Sequence, residues 1–454
     1  MTHLDLARSQ MAFALGFHII FASIAMVMPF LMFLAYRSYL KSGRVEDLKL
    51  TKAWMKGTAI LFATGAVSGT ALSFQLGLLW PEFMRHAGPI FGMPFSLEGA
   101  AFFLEAIFLG LFLYGWNKIP PKLHLAFGFM VGVTGVASGI LVVAANGWMN
   151  APSGFDWVDG RAVNIDPWKA MFNEAWPLQA LHMTVAAFQA TTAAAAGLHA
   201  WGLLRGRSRS FHRRALHYLL PILAISSIVQ PLIGDRSAKS VAQRQPEKLA
   251  AMEAHFETME RAPLLIGGWP DEETETVRWG LYIPGGLSFL AHGNLDAEVT
   301  GLDAFPHDER PPVLITHLAF QIMVGLGTLL MLVGVVYLVA RWRKRDLLAD
   351  RRWLRMLVAL TPTGFIALEA GWIVTEVGRQ PWIIYRIMRT ADSVTPVTGL
   401  GWSFAIIVLL YTTLGIISMY LLSRWFAIVD AQEADAAVHA ANQPADEKST
   451  GSSR

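Results

Sequence analysis

Residues 369–382 combine two carboxylates, two tryptophans and an arginine at the end of an apolar stretch long enough to cross a membrane. Glu369 and Glu376 are seven residues apart, so an α-helix places them on one face, two turns apart. A second stretch, Glu98 to Glu105, repeats this spacing. An ionisable side chain inside a membrane helix is costly unless it is paired, hydrated or bound to something. We therefore expect two helices to meet at a site inside the membrane.

The chain as a whole has the composition of a membrane protein. Of its 454 residues, 54% are hydrophobic and only 16% are charged, which favours a polytopic membrane protein over a soluble domain. A membrane-spanning helix needs roughly 20 residues. Uncharged or nearly uncharged runs of at least about that length occur nine times, at 11–36, 57–79, 94–116, 123–147, 177–204, 215–233, 313–340, 356–377 and 400–423. We predict an all-α bundle of nine transmembrane helices within residues 1–429, followed by a disordered tail, 430–454.

Lysine and arginine predict the orientation of the bundle, because cytoplasmic loops carry the excess of these residues. They concentrate in the connections after spans one, five and seven and are scarce after spans two and four. The N-terminus is therefore predicted to lie outside, and the C-terminus and its tail in the cytoplasm. The residues before span one lack the pattern of a cleavable signal, so we expect span one to be retained.

The longest connection, residues 235–312, is predicted to lie outside, and loops of this length are usually functional. Within it, Pro246 stands at a plausible first position of a helix. Apolar residues follow at helical spacing, namely Leu249, Met252, Phe256 and Met259. The pattern predicts a short amphipathic helix, which either lies on the membrane surface or packs on its own domain.

The absence of cysteine limits the chemistry that the chain can support. It excludes disulfides, iron–sulfur clusters and covalent attachment of haem through a C-x-x-C-H motif. A redox cofactor would have to be held by histidine, methionine, glutamate or tyrosine. The net charge of +3 is explained by the predicted cytoplasmic loops and gives no reason to expect nucleic-acid binding.

The titratable residues inside the predicted spans are few: His18, Glu98, Glu105, His182, His199, His317, Glu369 and Glu376, with Arg379 just beyond a helix end. Each has a purely structural alternative. A single histidine in a membrane helix is more often a hydrogen-bonding residue than a ligand, and Met323 alone would be core filler. His199 and His317 are weaker candidates because they stand near span ends.

Depth in the membrane brings the stronger candidates together. With a rise of about 1.5 Å per residue and the predicted orientation, most of them fall in the outer half of the bilayer, on the side of the long loop. Histidine and methionine are axial ligands of haem, Arg379 suits a haem propionate, and buried glutamates carry protons. A porphyrin site thus accounts for more of these residues than a proton-coupled transporter, which remains the alternative.

Over nearly its whole length the chain resembles subunit I of the cytochrome bd-type quinol oxidases. Several motifs in one order carry the resemblance: Arg8 to His18, Glu98 with Glu105, Ala145 to Met149, His182, Gly234-Asp235, Lys248 to Glu253, Phe320 to Met323, and Glu369 to Trp382 with its Gly-Arg-Gln-Pro-Trp ending. The short external loop resembles the short-loop branch of the family, which includes cyanide-insensitive oxidases.

The resemblance implies haem cofactors held by four ligands. His182 and Met323 would bind a low-spin haem b. His18 and Glu376 would serve a high-spin haem b and a haem d, or a haem b in its place. The assignment of these two ligands is open, and the resemblance favours His18 for haem d and Glu376 for haem b.

The resemblance also implies roles for residues around the haems. Arg8 and Arg379 would bind propionates, and Trp372 would lie between haems. Glu98 would lie beside haem d, and the residues implied in proton supply are Glu105, Ser138 and Asn146. Glu369 receives no role.

The implied reaction is oxidation of a membrane quinol, ubiquinol or menaquinol, with reduction of dioxygen to water. In the external loop, 235–312, Lys248 would hold a quinol oxygen and Glu253 would accept its proton. Protons would be released outside and taken up from the cytoplasm, which generates a proton motive force without pumping. Gln321 stands where some members of the family have arginine, which affects the expected potential of the low-spin haem.

The expected partners are a second membrane subunit and a small single-span subunit, in a bacterial cytoplasmic (inner) membrane. Two other functions fit the buried acids: a proton-coupled transporter without cofactors, and a haem b cytochrome that does not reduce oxygen.

Overall fold

The structure is a computed structural model that describes residues 2–441. Helices dominate it, because a chain without access to water must pair every backbone N–H and C=O group internally. The α-helices are α1 (His3–Ser42), α2 (Val45–Leu79), α3 (Pro81–Tyr114), α4 (Pro121–Asn150), α5 (Pro167–Met171), α6 (Trp176–Leu204), α7 (Arg209–Arg244), α8 (Pro246–Glu253), α9 (Gly286–His292), α10 (Val313–Trp342), α11 (Arg351–Ala359), α12 (Thr363–Val377), α13 (Thr390–Ser393) and α14 (Leu400–Ala441).

Short strands lie in the connections between helices. They are β1 (Asp156–Val158), β2 (Arg161–Val163), β3 (Met259–Glu260), β4 (Leu264–Asp271), β5 (Thr276–Ile283), β6 (Glu298–Val299), β7 (Trp382–Ile384) and β8 (Met388–Arg389). They form four antiparallel pairs, β1 with β2, β3 with β6, β4 with β5 and β7 with β8. Single 3-10 turns occur at Leu302–Ala304, His307–Glu309 and Leu347–Ala349.

Local sequence signals set several helix ends. At the start of α1, Thr2 and Asp5 form a capping box, in which each side chain accepts the backbone N–H of the other residue. The helix ends at Gly43, whose φ of +68° lies in the left-handed region that glycine adopts most easily. Helices α3 and α4 begin with Pro81 and Pro121, where a missing N–H costs nothing.

Eight helical segments of the described residues are long and apolar enough to cross a membrane. They coincide with eight of the nine predicted spans. The predicted span 177–204 corresponds to α6, which is long enough but rich in alanine, threonine and glutamine, with Gln189 and Thr192 buried. A helix surrounded by other helices needs less apolar surface than one facing lipid. The count of nine and the orientation therefore stay predictions.

The predicted span 356–377 is divided in the structure. Helix α11 ends at Ala359 and α12 begins at Thr363. Pro362 lies between them, and proline has no N–H to donate to the preceding turn. The membrane-length segment Arg351–Val377 is therefore interrupted at Pro362. Along the chain, this break and Glu376 are separated by about two-thirds of the length needed to span a bilayer.

The core of the bundle is centred on α1, which packs against α2, α4, α6 and α14. Helices α10 and α14 keep many apolar side chains exposed, among them Leu332, Val336, Ile406 and Leu409. Such surfaces suit lipid or another membrane subunit.

A buried ion pair joins three helices where α1 leads into α2. Asp47 is fully buried, and its Oδ1 accepts from Arg214 Nε of α7 at 2.6 Å. Ser38 and Tyr218 also donate to this carboxylate, at 2.7 and 2.8 Å. The pair thus fixes α1, α2 and α7 to one another.

Replacing Arg214 by alanine is expected to destabilise the protein by about 3 kcal/mol, because it leaves a buried carboxylate without its counter-ion. Thermal unfolding in detergent measures the change. The neighbouring Arg213 pairs with Asp346, which is largely exposed, so the control variant Arg213→Ala should lower stability by less than about 1 kcal/mol. Equal effects of the two substitutions would contradict this account.

The predicted external loop is a folded unit, which is called the external unit below after that prediction. Helix α7 continues to Arg244, so the connection begins later than residue 235, and it contains α8, α9 and strands β3 to β6. Two small apolar cores hold it together, built around Ala250 and Phe256 and around Leu249 and Leu287. Helix α8 ends at Glu253 rather than near Met259, and nearly every residue in it is buried. Of the two predicted locations, packing on its own domain is therefore confirmed.

Helix α10 is fastened to this external unit by two side chains one turn apart. The ring nitrogens of His317 lie 2.8 Å from the carbonyl oxygen of Met252 and 2.9 Å from that of Gly267. Gln321 accepts the N–H of Gly267 and donates to the carbonyl oxygen of Leu265, each at 3.0 Å. Helix α8 and strand β4 are thereby held in a fixed position on α10.

At the C-terminus, α14 continues to Ala441, past the start of the predicted tail at residue 430. Residues 442–454 of that predicted tail lie outside the described residues.

Candidate functional site

Lys248 on α8 is unusual because it is buried, with 4% of its surface exposed. Its Nζ donates to Asn150 Oδ1 at 2.6 Å and lies 3.5 Å from the carbonyl oxygen of Thr375. Gly378 leaves space for it, since a Cβ at that position would lie 3.2 Å from Lys248 Cγ. Burial, followed by the nearby Arg379 guanidinium, lowers the pKa of Lys248 to about 7. The ammonium therefore titrates near neutral pH.

Glu253, the last residue of α8, is equally buried. Neither of its carboxyl oxygens has a hydrogen-bond partner among the described residues. Burial raises the pKa of Glu253 to about 8, because desolvation disfavours the charged form. At neutral pH this side chain holds a proton that it can exchange.

A chain of hydrogen bonds leads from Lys248 into the bundle. Asn150 Nδ2 donates to the carbonyl oxygen of Asn146 at 2.9 Å and to Asn146 Oδ1 at 3.2 Å. Asn146 Nδ2 in turn donates to Glu376 Oε1. Arg379 Nη2 donates to Glu376 Oε2 at 2.6 Å. Four predicted residues, Lys248, Asn146, Glu376 and Arg379, are thus brought into one network by Asn150.

Two acids of α3 lie against helix α4, nearer its N-terminus than Asn146. Ser138 donates to Glu98 Oε1 of α3 at 3.1 Å. Glu105 packs against Gly135, where a Cβ would lie 2.9 Å from its Oε1, and that oxygen has no partner among the described residues. The structure therefore brings together the predicted group of Glu98, Glu105 and Ser138 between α3 and α4.

His18 on α1 faces α2. Its Nδ1 lies 3.0 Å from Ser68 Oγ, and Ser68 donates its proton to the carbonyl oxygen of Gly65. With Ser68 bonded in this way, it accepts from His18 Nδ1–H in the tautomer that leaves the lone pair on Nε2. Gly69 makes room for the ring, since a Cβ there would lie 2.7 Å from Cε1. Such an outer partner is typical of a histidine that binds a metal.

His182 and Met323 lie on α6 and α10, which both pack against α12. His182 Nδ1 is buried without a partner in the described structure, and Gln230 Nε2 donates to its Nε2 at 3.2 Å. Met323 lies beside Gly371 of α12, where a Cβ would lie 3.0 Å from the sulfur. Neither side chain is closed off by apolar packing, as both keep accessible surface.

The remaining candidates lie around α12. Arg8 donates to Gln380 Oε1, next to Arg379 in the Gly-Arg-Gln-Pro-Trp segment. Trp372 is half-buried. Glu369 points at α1, since its Oε2 would lie 3.2 Å from a Cβ at Gly16, and its Oε1 has no partner among the described residues.

The donor set fits haem. Histidine and methionine are axial ligands of haem, and the site offers an imidazole on each of α1 and α6 and a thioether on α10. The carboxylate on α12 is a further candidate, since iron also accepts oxygen ligands. Arg379 is 2% exposed, yet its Nη1 has no partner among the described residues, and a carboxylate such as a propionate would satisfy it. Two of these candidates already accept hydrogen bonds, since His182 Nε2 accepts from Gln230 and each Glu376 oxygen accepts one N–H, although each carboxylate oxygen keeps a second lone pair.

Two of the weaker candidates are structural. His199 accepts from Trp54 Nε1–H at 3.2 Å and lies 2.9 Å from His212, away from the groups above. His317 binds the backbone of the external unit, as described. Gln321 also faces that backbone, so its amide holds β4 in place, a role that the sequence comparison with arginine did not suggest.

Several contributors were not found from the sequence, among them Asn150, Ser68, Gln230 and Gly378. Asn150 follows Asn146 by four residues on the same helix, so helical spacing could have pointed to it. Ser68 and Gly378 contribute only because the fold places them beside His18 and Lys248, and no pattern in the sequence indicates these contacts.

Comparison with known proteins decides the family. The family described as "Cytochrome bd terminal oxidase subunit I" matches residues 6–428 of this chain. The chain belongs to this family. A solved structure, the bd oxidase from Geobacillus thermodenitrificans, is similar with a TM-score of 0.88 and 39% identity, over 94% of this chain and 98% of that chain.

Two curated relatives of this cytochrome bd subunit I differ in the quinol that their names give. A Bacillus subtilis (strain 168) protein, provisionally named cytochrome bd menaquinol oxidase subunit I, is 38% identical over 94% of this chain and 97% of its own length. Cytochrome bd-II ubiquinol oxidase subunit 1 of Escherichia coli (strain K12) is 31% identical over 93% and 96%. Membership of the family and the apolar helices make this chain a multi-pass bacterial membrane protein.

Proposed function

We propose that this chain is the haem-bearing subunit of a quinol:oxygen oxidoreductase that works with a second membrane subunit. The names of its relatives support quinol as the reductant. The observation that carries the proposal most directly is the pair Lys248 and Glu253 on one short buried helix, with pKa values of about 7 and about 8. Quinol oxidation releases protons, and groups that titrate near neutral pH suit their transfer.

At the quinol, Lys248 Nζ would donate to one quinol oxygen and stabilise negative charge there. Glu253 would accept the quinol proton when its carboxyl group is ionised. Both side chains are shielded from water by the external unit, so each hydrogen bond to the quinol is stronger than it would be in solution.

Four side chains would hold the haems, which supply electron transfer and the reduction of dioxygen to water when bound. We assign His182 and Met323 to a low-spin haem b, and His18 and Glu376 to the high-spin pair. Our preference is His18 for haem d, or a haem b in its place, and Glu376 for haem b. Ser68 would fix the tautomer of His18 so that Nε2 faces the iron.

The other residues would bind and orient. Arg379, through its unpartnered Nη1, and Arg8 would hold propionates. Trp372 would lie between haems. Glu98 would lie beside haem d, and Glu105, Ser138 and Asn146 would deliver protons along α4 from the cytoplasmic side, while quinol protons leave outside. That arrangement builds a proton motive force without a pump, and it rests on the predicted orientation and on residence in the cytoplasmic (inner) membrane.

Absorption spectra of the purified protein with its partner subunit, oxidised and dithionite-reduced, test the proposal together with quinol-driven oxygen uptake. We expect bands of low-spin and high-spin haem and oxygen uptake that depends on quinol. A protein without haem would support the alternative of a proton-coupled transporter. Haem b without oxygen uptake would indicate a plain electron-transfer cytochrome.

The pH profile provides a second prediction. Lys248 loses its charge as pH rises through about 7, and Glu253 becomes an acceptor only as pH rises through about 8, so kcat/KM for quinol should peak between about 7 and 8. Replacing Glu253 by glutamine should lower kcat about a hundredfold and remove the acid limb. Glu260→Gln, at an exposed position of the same unit, should leave the profile unchanged. An unaltered acid limb in Glu253→Gln would refute the role.

A further inference from the structure

Asn150 stands between the external unit and the haem-bearing helices. It is the last residue of α4, and 3% of its surface is exposed. Its Oδ1 accepts from Lys248 Nζ at 2.6 Å, and its Nδ2 donates to Asn146. Both ends of one carboxamide are therefore used, each toward a residue of a different predicted site.

We propose that Asn150 is a positioning residue that orients the Lys248 ammonium for quinol and joins it, through Asn146, to Glu376. This inference rests on the proposed function, because it assigns Lys248 to quinol and Glu376 to a haem. The quinol site and the Glu376 site are then one hydrogen-bonded unit.

The geometry around Lys248 supports the first half of the inference. A buried ammonium has three N–H groups to satisfy, and its shortest contact is with Asn150, whereas the carbonyl oxygen of Thr375 lies at 3.5 Å. The charged groups that face it are Arg244 of α7, Glu247 of α8, and Glu376 and Arg379 of α12. Two of these groups are cationic and two are anionic, and none of them is a hydrogen-bond partner of Nζ among the described residues. The side-chain acceptor that Nζ does contact is the neutral Asn150 Oδ1, at 2.6 Å.

The polarity of the amides supports the second half. Asn150 accepts from Lys248 and donates to Asn146, and Asn146 donates to Glu376. The donors all point from the ammonium toward the carboxylate, and hydrogen bonds aligned in this way strengthen one another. Weakening the middle bond therefore affects both ends.

Two substitutions separate the two functions of the carboxamide. Asn150→Leu has a similar volume and removes both the acceptor and the donor. Asn150→Asp keeps an oxygen for Lys248 but loses the N–H that Asn146 accepts. A matched control is Asn294→Leu, since Asn294 is exposed and its side chain accepts the N–H of Asp296, at 3.1 Å, within the external unit.

The measurements are made on the whole oxidase with its partner subunit. They are the KM and kcat for a short-chain quinol, and the optical and electron paramagnetic resonance signals of the high-spin haems. For Asn150→Leu we expect KM to rise about tenfold to a hundredfold, the effect of losing a hydrogen bond to a charged group, with kcat within about threefold of wild type. The high-spin signals should move in Asn150→Leu and in Asn150→Asp. KM in Asn150→Asp should stay within about threefold of wild type.

The inference is overturned if Asn150→Leu keeps the wild-type KM and high-spin signals, or if Asn150→Asp raises KM as much as Asn150→Leu. If Asn150→Leu does not assemble with haem, Asn150→Asp decides: an unchanged high-spin signal would overturn the link to Glu376. A failure of the proposed function is distinguishable, because the wild-type protein itself would then lack haem signals or quinol-driven oxygen uptake.

Discussion

Replacing His182 by alanine should abolish the low-spin haem b signal in the reduced-minus-oxidised spectrum while the high-spin signals remain. Its imidazole is the proposed ligand on α6, and the proposed ligand on α10, Met323, would not hold the low-spin haem alone. Quinol-driven oxygen uptake should fall to background in the same preparation, because electrons from quinol have no other predicted acceptor. Spectra of detergent-purified oxidase measure the first effect, and an oxygen electrode measures the second.

The control for this variant lies on the same helix. His199 is also buried in α6 but hydrogen-bonds to Trp54 and His212. His199→Ala should therefore lower thermal stability and preserve all haem signals. Loss of a high-spin signal in His182→Ala, with the low-spin signal intact, would show that the assignment of this ligand is wrong.

Replacing Lys248 by methionine is expected to lower kcat/KM for quinol about a hundredfold or more, and to leave every haem bound. Methionine fills a similar volume without the ammonium, so the variant loses the charge-assisted hydrogen bond to quinol. It also loses a buried charge, and burying a charge lowers the free energy of unfolding. Stability should hold or increase. Steady-state oxygen uptake with quinol is the measurement, alongside uptake with an artificial reductant that bypasses the quinol site, which should be retained.

Lys169→Met provides the matched control, since Lys169 is exposed on α5 and on the same predicted side of the membrane. It should oxidise quinol like the wild type. Wild-type kcat/KM in Lys248→Met would remove this lysine from the quinol site and leave α8 without its assigned function.

The spans could be predicted from the sequence because hydrophobic length is a local property. Each of eight predicted spans matches a membrane-length apolar segment, whereas α6 does not, because polar residues such as Gln189 and Thr192 lower its apolar content. The break before Thr363 was readable from Pro362 but was not predicted. A continuous apolar run conceals such a break when composition is averaged over a window.

The site residues were found to the extent that their chemistry is rare in a membrane. Glu376 and Arg379 stand out by charge, and the structure joins them at 2.6 Å. Asn150 and Ser68 are ordinary polar residues, and only the packing of α4 and α2 gives them partners. The same holds for Gln321, which the sequence connects with Met323 and the structure connects with the backbone of β4.

The external unit illustrates a third limit. Its helix α8 was expected from Pro246 and the apolar spacing, but its burial depends on elements distant in sequence, helix α10 above all. His317, for example, contacts backbone at Met252 and Gly267, and pairings over such separations leave no periodic signal. The extent of α8 was overestimated for this reason, since Met259 belongs to β3.

A change in the length of helix α4 should be far more harmful than a single substitution in it. Its contacts to Glu105, Glu98, Glu376 and Lys248 arise at positions 135, 138, 146 and 150, spread over about 22 Å of helix. A single inserted or deleted residue between 135 and 150 would rotate everything beyond it by about 100° and misdirect the outer contacts at once. Natural length variation is therefore expected in the surface connections and not in this helix, and circular permutation or tag insertion should likewise avoid it.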